Sequence, residues 1–167
     1  MQSRITNPAG LFPDAMQALL ALSSAVEKTG LSPILSGLVH LRISQVNGCS
    51  VCVDLGWRQL KRAGEKDERL FAVSAWHDAP YFTEGERAAL ALAEAATRVA
   101  DRPDPVPDDV WNEAALHFSE RELAALTLSI ALTNVWNRLN ITTRQVAGEW
   151  LKSAAAKEWA ENHAIAS

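Results

Sequence analysis

The sequence predicts an all-α protein, and three observations carry that prediction. Apolar residues recur every three to four positions in run after run along the chain. Helix start and stop signals punctuate those runs. Alternating stretches of strand length bounded by turn residues are missing. The expected architecture is one domain over residues 1–167, a bundle of about seven helices with its core at about 13–147 and a helical tail at 148–167.

Each element has its own justification. Pro13 can open a first helix carrying Met16, Leu19, Leu20, Leu22 and Val26, with Gly30 as its stop. A second run from Ile34 through Leu38, Leu41 and Ile43 reaches a break at Asn47-Gly48. A third helix begins near Cys49, carries Val51, Leu55 and Leu60, and ends near Gly64. Glu65 to Trp76 reads as a shorter helix, stopped by Asp78-Ala79-Pro80. Thr83-Glu84-Gly85-Glu86 is a capping box ahead of the Ala/Leu-rich run 88–100. Arg102-Pro103-Asp104-Pro105-Val106-Pro107 cannot be helical and serves as a stiff connector within the domain. Asp108 starts the next helix. Ser119-Glu120-Arg121-Glu122, a second capping box, opens the most apolar one, from Leu123 to Leu139. Being apolar on most sides, that helix is expected at the bundle centre or in a subunit interface. The tail, Gly148 to His163, reads as an Ala-rich helix that could dock through Trp150, Leu151 and Trp159.

Bulk composition narrows the function classes. The chain has 167 residues, 48% hydrophobic and 22% charged, enough for one full core. A net charge of −4 with no basic tract interleaved with aromatics argues against nucleic-acid binding. No apolar run approaches membrane-spanning length, and the start lacks a secretory apolar segment, so a cytoplasmic location is expected. Six Trp residues fall on apparent helices, where core or interface packing is the ordinary role.

The two cysteines, Cys49 and Cys52, stand in a C-x-x-C directly after Asn47-Gly48. A helix starting there puts both on one face at its N-terminus, where free N–H groups and the helix dipole favour a thiolate. A thiolate attacks in thiol–disulfide exchange, and its i+3 neighbour can resolve the mixed disulfide. Two inert buried cysteines also fit the pattern. A zinc half-site fits less well, because no second pair of ligands follows.

The run Leu38-Val39-His40-Leu41-Arg42-Ile43-Ser44-Gln45-Val46-Asn47-Gly48-Cys49-Ser50-Val51-Cys52-Val53-Asp54 resembles the core of the alkylhydroperoxidase D-like, carboxymuconolactone decarboxylase family. The resemblance continues through Lys61-Arg62-Ala63-Gly64, Leu70 to Trp76, Phe82 to Ala91, His117 to Leu123 and Asn134 to Leu139. It implies an all-helical homo-oligomer, commonly a trimer or hexamer. It also implies, for C-x-x-C members, reduction of peroxides. One Cys is oxidised, the pair closes to a disulfide, and an external dithiol such as a lipoyl group reopens it; no tightly bound cofactor is expected.

The family relay has two further parts that this sequence lacks. A Glu on the preceding helix falls at Gly37, and a His one turn after the second Cys falls at Gly56. If the fold brings Gly37 near the thiols, the two glycines should leave a space beside them. His40 is the histidine near enough in sequence to take the thiol proton. The resemblance puts an exposed Lys at that position, so a solvent-facing ring is expected. Arg42 and Arg58 could favour a thiolate by charge, and Trp57 is expected in the core. His77, His117 and His163 receive no role. Which cysteine attacks stays open, since the helix start favours Cys49 and the family relay acts near Cys52.

The reading is a thiol-dependent peroxidase or disulfide oxidoreductase with Cys49 and Cys52 as catalytic residues and His40 as the candidate base. It would act on a hydroperoxide or disulfide with a dithiol electron donor, its activity weakened or retargeted by Gly37 and Gly56. The alternative is a non-catalytic oligomeric member that binds a small molecule or partner protein. Decarboxylation finds no proton donor near the presumed pocket.

Overall fold

In the computed structural model, which describes residues 2–149 and residue 152, the bundle is organised around one helix, Pro33–Asn47. Its start is encoded by Ser32, whose hydroxyl accepts from the Leu35 N–H at 3.4 Å, and by Pro33 in the first turn. Its end is encoded by Gly48, which takes a left-handed φ of 72° that a side chain would strain. With this helix included, the described residues form eight α-helices in order: α1 Pro8–Leu11, α2 Pro13–Glu27, α3 Pro33–Asn47, α4 Ser50–Arg62, α5 Asp67–Ala72, α6 Glu84–Thr97, α7 Asp108–His117 and α8 Glu120–Thr142. No strand occurs among them, so the all-α expectation holds.

α3 is apolar on opposite faces and packs against α4, α6 and α8. Leu35, Val39 and Ile43 meet Ala89 and Leu92 of α6 and Leu126 and Ile130 of α8. Leu38 and Leu41 meet Leu60 of α4, Leu70 of α5 and Leu90 of α6. Each fully buried leucine of this kind contributes about 1.5–3 kcal/mol relative to exposure. The centre of the bundle is therefore α3. α8, expected either there or in a subunit interface, lays one face on α3 and leaves Leu128 and Val135 exposed on the other. Its buried face turns polar in the second half, with Asn134, Asn137 and Asn140 all inside.

Both capping boxes form: Thr83 with Glu86 opens α6, and Ser119 with Glu122 opens α8. The helix expected over Glu65–Trp76 is split into α5 and a 3-10 turn, Val73–Ala75. That break lets Trp76 turn inward, where its indole N–H donates to Glu94 at 2.8 Å. Residues 2–11, outside the expected core, are tied to the end of α8. The Arg4 N–H donates to the Thr143 carbonyl at 2.9 Å, and the Gln145 amide donates to the Ile5 carbonyl at 2.9 Å. Trp57, expected in the core, is 37% exposed. Trp150, Trp159 and nearly all of the expected tail helix lie outside the described residues.

Candidate redox site

Gly48 reverses the chain between α3 and α4, and Cys49 becomes the N-cap of α4. The Cys52 N–H points back at the Cys49 sulfur at 3.4 Å, the place a serine hydroxyl takes in an ordinary cap. The two cysteines are joined as a disulfide with Cα atoms 5.4 Å apart, within the usual range for a bridge. Cys49 is 1% exposed and Cys52 2%. The short spacing and the helix start thus place the pair as the sequence suggests, on one turn at the dipole's positive end.

The second sulfur also has a donor. Asn140 of α8 directs its side-chain amide at the Cys52 Sγ, 3.3 Å away. Asn140 in turn accepts from the Asn7 amide at 2.8 Å, and Asn7 caps α1 by accepting from the Ala9 N–H at 3.0 Å. One and nearly two turns earlier on α8, Asn137 and Asn134 hold the loop's approach. The Asn47 amide donates to the side-chain oxygens of both, at 2.8 and 3.0 Å. The Asn137 amide donates to the Ser44 hydroxyl at 3.2 Å. Sequence reasoning missed these asparagines because their helix reads as apolar. The signal available was their i, i+3, i+6 spacing on one face.

His40 does not face solvent. It is partly buried between α3, α4 and α8, with Nε2 3.3 Å from the Cys52 carbonyl and Nδ1 3.4 Å from the Thr133 hydroxyl. A carbonyl can only accept, so in the neutral ring Nε2 carries the proton. Nδ1 then accepts from the Thr133 hydroxyl, which can alternatively donate to the Ser129 carbonyl at 2.9 Å. Burial lowers the His40 pKa below its ordinary 6.5, against a smaller upward pull from the Cys52 carbonyl.

The space expected at the two glycines is filled. A Cβ at Gly56 would lie 2.9 Å from His40 Cδ2, so the imidazole occupies the room that a side chain at position 56 would need. A Cβ at Gly37 would lie 2.6 Å from Leu60 Cδ2, so a leucine fills the other gap. Two clefts lie elsewhere. One of about 350 Å³ is lined by Val46, Asn47, Thr97, Arg98 and Arg138, and one of about 160 Å³ by Trp76, His77 and Glu94; neither is lined by the cysteines. Arg42 is committed to Glu94 and Arg58 to Asp54 at 3.0 Å. His77 stacks on Trp76, and His117 pairs with Glu113. Among the described residues no cluster of His, Cys, Asp and Glu could hold a metal, and no helix is long and apolar enough to cross a membrane.

The site therefore defines a helical domain carrying a C-x-x-C at a helix N-terminus. The chain belongs to the carboxymuconolactone decarboxylase family, whose sequence pattern matches residues 13–95. It is 34% identical to a structurally determined protein of unknown function from Agrobacterium tumefaciens, suggested to be an antioxidant defence protein AhpD. That superposition has a TM-score of 0.81 and covers 87% of this chain and 98% of the other. It is 28% identical to the uncharacterized protein YdfG of Bacillus subtilis over 77% of this chain and 86% of that one. It is 36% identical to the uncharacterized protein YnjA of Escherichia coli over 68% of this chain and 61% of that one. The debrominase Bmp8 shares the fold at 23% identity and a TM-score of 0.74, over 89% of this chain and 76% of the other.

Proposed function

We propose that this protein is a thiol–disulfide oxidoreductase that reduces an organic hydroperoxide or a disulfide through Cys49 and Cys52. The observation that supports it most is the bridged pair at the start of α4 with an imidazole packed on the same turn. The family position for that imidazole is glycine, but the ring enters from α3 instead. With a peroxide, one cysteine thiolate attacks the O–O bond, alkoxide leaves and takes a proton, and a sulfenic acid remains. The second cysteine attacks that sulfur and displaces water, forming the disulfide. An external dithiol, of which a lipoyl group is the candidate, gives up two electrons and two protons to restore both thiols. His40 meets the pair through the Cys52 carbonyl, and as the candidate base it would exchange a proton through Nδ1 once the Thr133 hydroxyl turns to the Ser129 carbonyl. Leu128 and Val135 on the outer face of α8, with Leu20 on α2, leave apolar surface suited to a homo-oligomer.

The test is consumption of cumene hydroperoxide by the reduced protein under excess dihydrolipoamide. Turnover should vanish in both Cys49→Ser and Cys52→Ser. Turnover that survives either substitution would refute the mechanism. Disulfide cycling without peroxide consumption would move the substrate from peroxides to disulfides.

A further inference from the structure

We propose that Asn140 is a catalytic residue that sets the charge state of Cys52, its donor edge aimed by Asn7. The inference deepens the oxidoreductase reading and rests on it for its catalytic meaning. The argument starts from a group whose polarity is fixed. The Ala9 backbone N–H can only donate, so the Asn7 atom 3.0 Å from it is the oxygen. The Asn7 amide nitrogen therefore faces Asn140 at 2.8 Å, and it can only donate. That makes the facing Asn140 atom its oxygen, and its amide nitrogen must then point at the Cys52 sulfur at 3.3 Å. A backbone proton in α1 thus dictates, through two side-chain amides, which end of Asn140 meets the sulfur.

The consequence falls on the reductive half of the cycle. A donor thiolate attacks the Cys49 sulfur, the Cys49–Cys52 bond breaks, and the electron pair leaves on the Cys52 sulfur. There it meets the Asn140 N–H inside a buried site where water cannot replace the donor, since Asn140 is 8% exposed. The donor's second thiol, losing its proton, then closes on the mixed disulfide and releases Cys49. The two protons given up by the donor end on the two cysteines. Hydrogen bonds to a charged acceptor are stronger than those to a neutral one, so the amide favours the thiolate over the thiol. The titratable groups that the structure places against Cys52 are His40 from α3, through the backbone carbonyl, and Cys49 on its own turn. From α8 the facing group is the neutral Asn140.

The Cys52 thiolate is read directly by its absorbance at 240 nm during a pH titration of the Cys49→Ser protein. In that background Asn140→Leu, which keeps the volume and removes the donor, should raise the midpoint by about 1–2 pH units. Asn7→Asp keeps the α1 cap but turns a second acceptor toward Asn140, reversing the amide so that its oxygen meets the sulfur. It should raise the midpoint as well, and much less in the Asn140→Leu background. An unchanged midpoint in Asn140→Leu overturns the proposal, and so does an Asn7→Asp shift of equal size in both backgrounds, which would be charge alone. If Asn140→Leu does not fold, Asn140→Ala takes its place in both comparisons, and the same outcomes support or overturn the proposal. Absence of both peroxide turnover and dithiol-driven disulfide cycling, with the shifts intact, would defeat the oxidoreductase reading and leave the control of the Cys52 charge by Asn140 standing.

Discussion

Adding one methyl group at Gly56 tests whether His40 occupies the room of the missing side chain. In a helix, Gly→Ala ordinarily stabilises by about 1 kcal/mol, through the entropy that glycine loses on folding. Here the new Cβ would sit 2.9 Å from His40 Cδ2, well inside van der Waals contact. The ring is held at both nitrogens, by the Cys52 carbonyl and the Thr133 hydroxyl, so it cannot swing away without losing a partner. Overpacking of this sort costs about 1–3 kcal/mol. Gly56→Ala alone should therefore be neutral to destabilising by about 2 kcal/mol, the propensity gain offsetting part of the clash. In a His40→Ala background the clash is gone, and the same substitution should stabilise by about 1 kcal/mol. Urea denaturation of the four proteins in this cycle gives a coupling of about 1–3 kcal/mol. Additivity within about 0.5 kcal/mol would refute the reasoning, because it would mean the ring does not occupy that space in solution.

The pH dependence of stability follows from the same ring. His40 binds its proton less readily when folded than when unfolded, so the unfolded state takes up more protons as pH falls. Its contribution is complete above about pH 6.5 and is lost as pH drops toward the folded value, and His40→Gln should flatten that limb in denaturation curves at pH 5–8. Asn47→Ala removes the donor to Asn134 and Asn137. Arg138 still serves Asn134 at 2.9 Å, so the orphan is Asn137, 0% exposed, at a cost of about 1–3 kcal/mol read as a lowered urea midpoint. Ser119→Ala should lower stability by about 1 kcal/mol through the lost α8 cap, and an unchanged midpoint would show that the cap contributes nothing.

Most helix boundaries were legible because their signals are local. A proline in the first turn, a capping box or a positive-φ glycine acts within four residues, and each such signal stands where the sequence puts it. The split after Ala72 was not legible, since Trp76 turns inward for a carboxylate eighteen residues away. The same distinction holds at the site. Cys49 and Cys52 are placed by spacing and by the Gly48 turn, both local. The position of His40 depends on what is absent across the interface, a side chain at 56, and nothing in α3 itself records that. Likewise the filling of the Gly37 gap depends on Leu60, whose helical run marks it only as a core residue.

The asparagines of α8 show why a helix can mislead in hydropathy and still be specific in chemistry. An interior amide left unpaired costs more than a buried hydrogen bond returns, so Asn134, Asn137 and Asn140 are tolerable only with partners on other elements. Those partners are Thr97 on α6, Asn47 and Ser44 on α3, and Asn7 before α1, together with the Cys52 sulfur on α4. A slip of α8 by one residue would bury the same amides against leucines. The polar face thus fixes the rotation of α8 about its axis, which apolar packing alone would leave less sharply defined. Fixing that rotation also fixes where an amide meets the disulfide. The residues that set the register of α8 and the residue that meets the reactive sulfur are therefore one row of side chains, and a change to either role should be felt in the other.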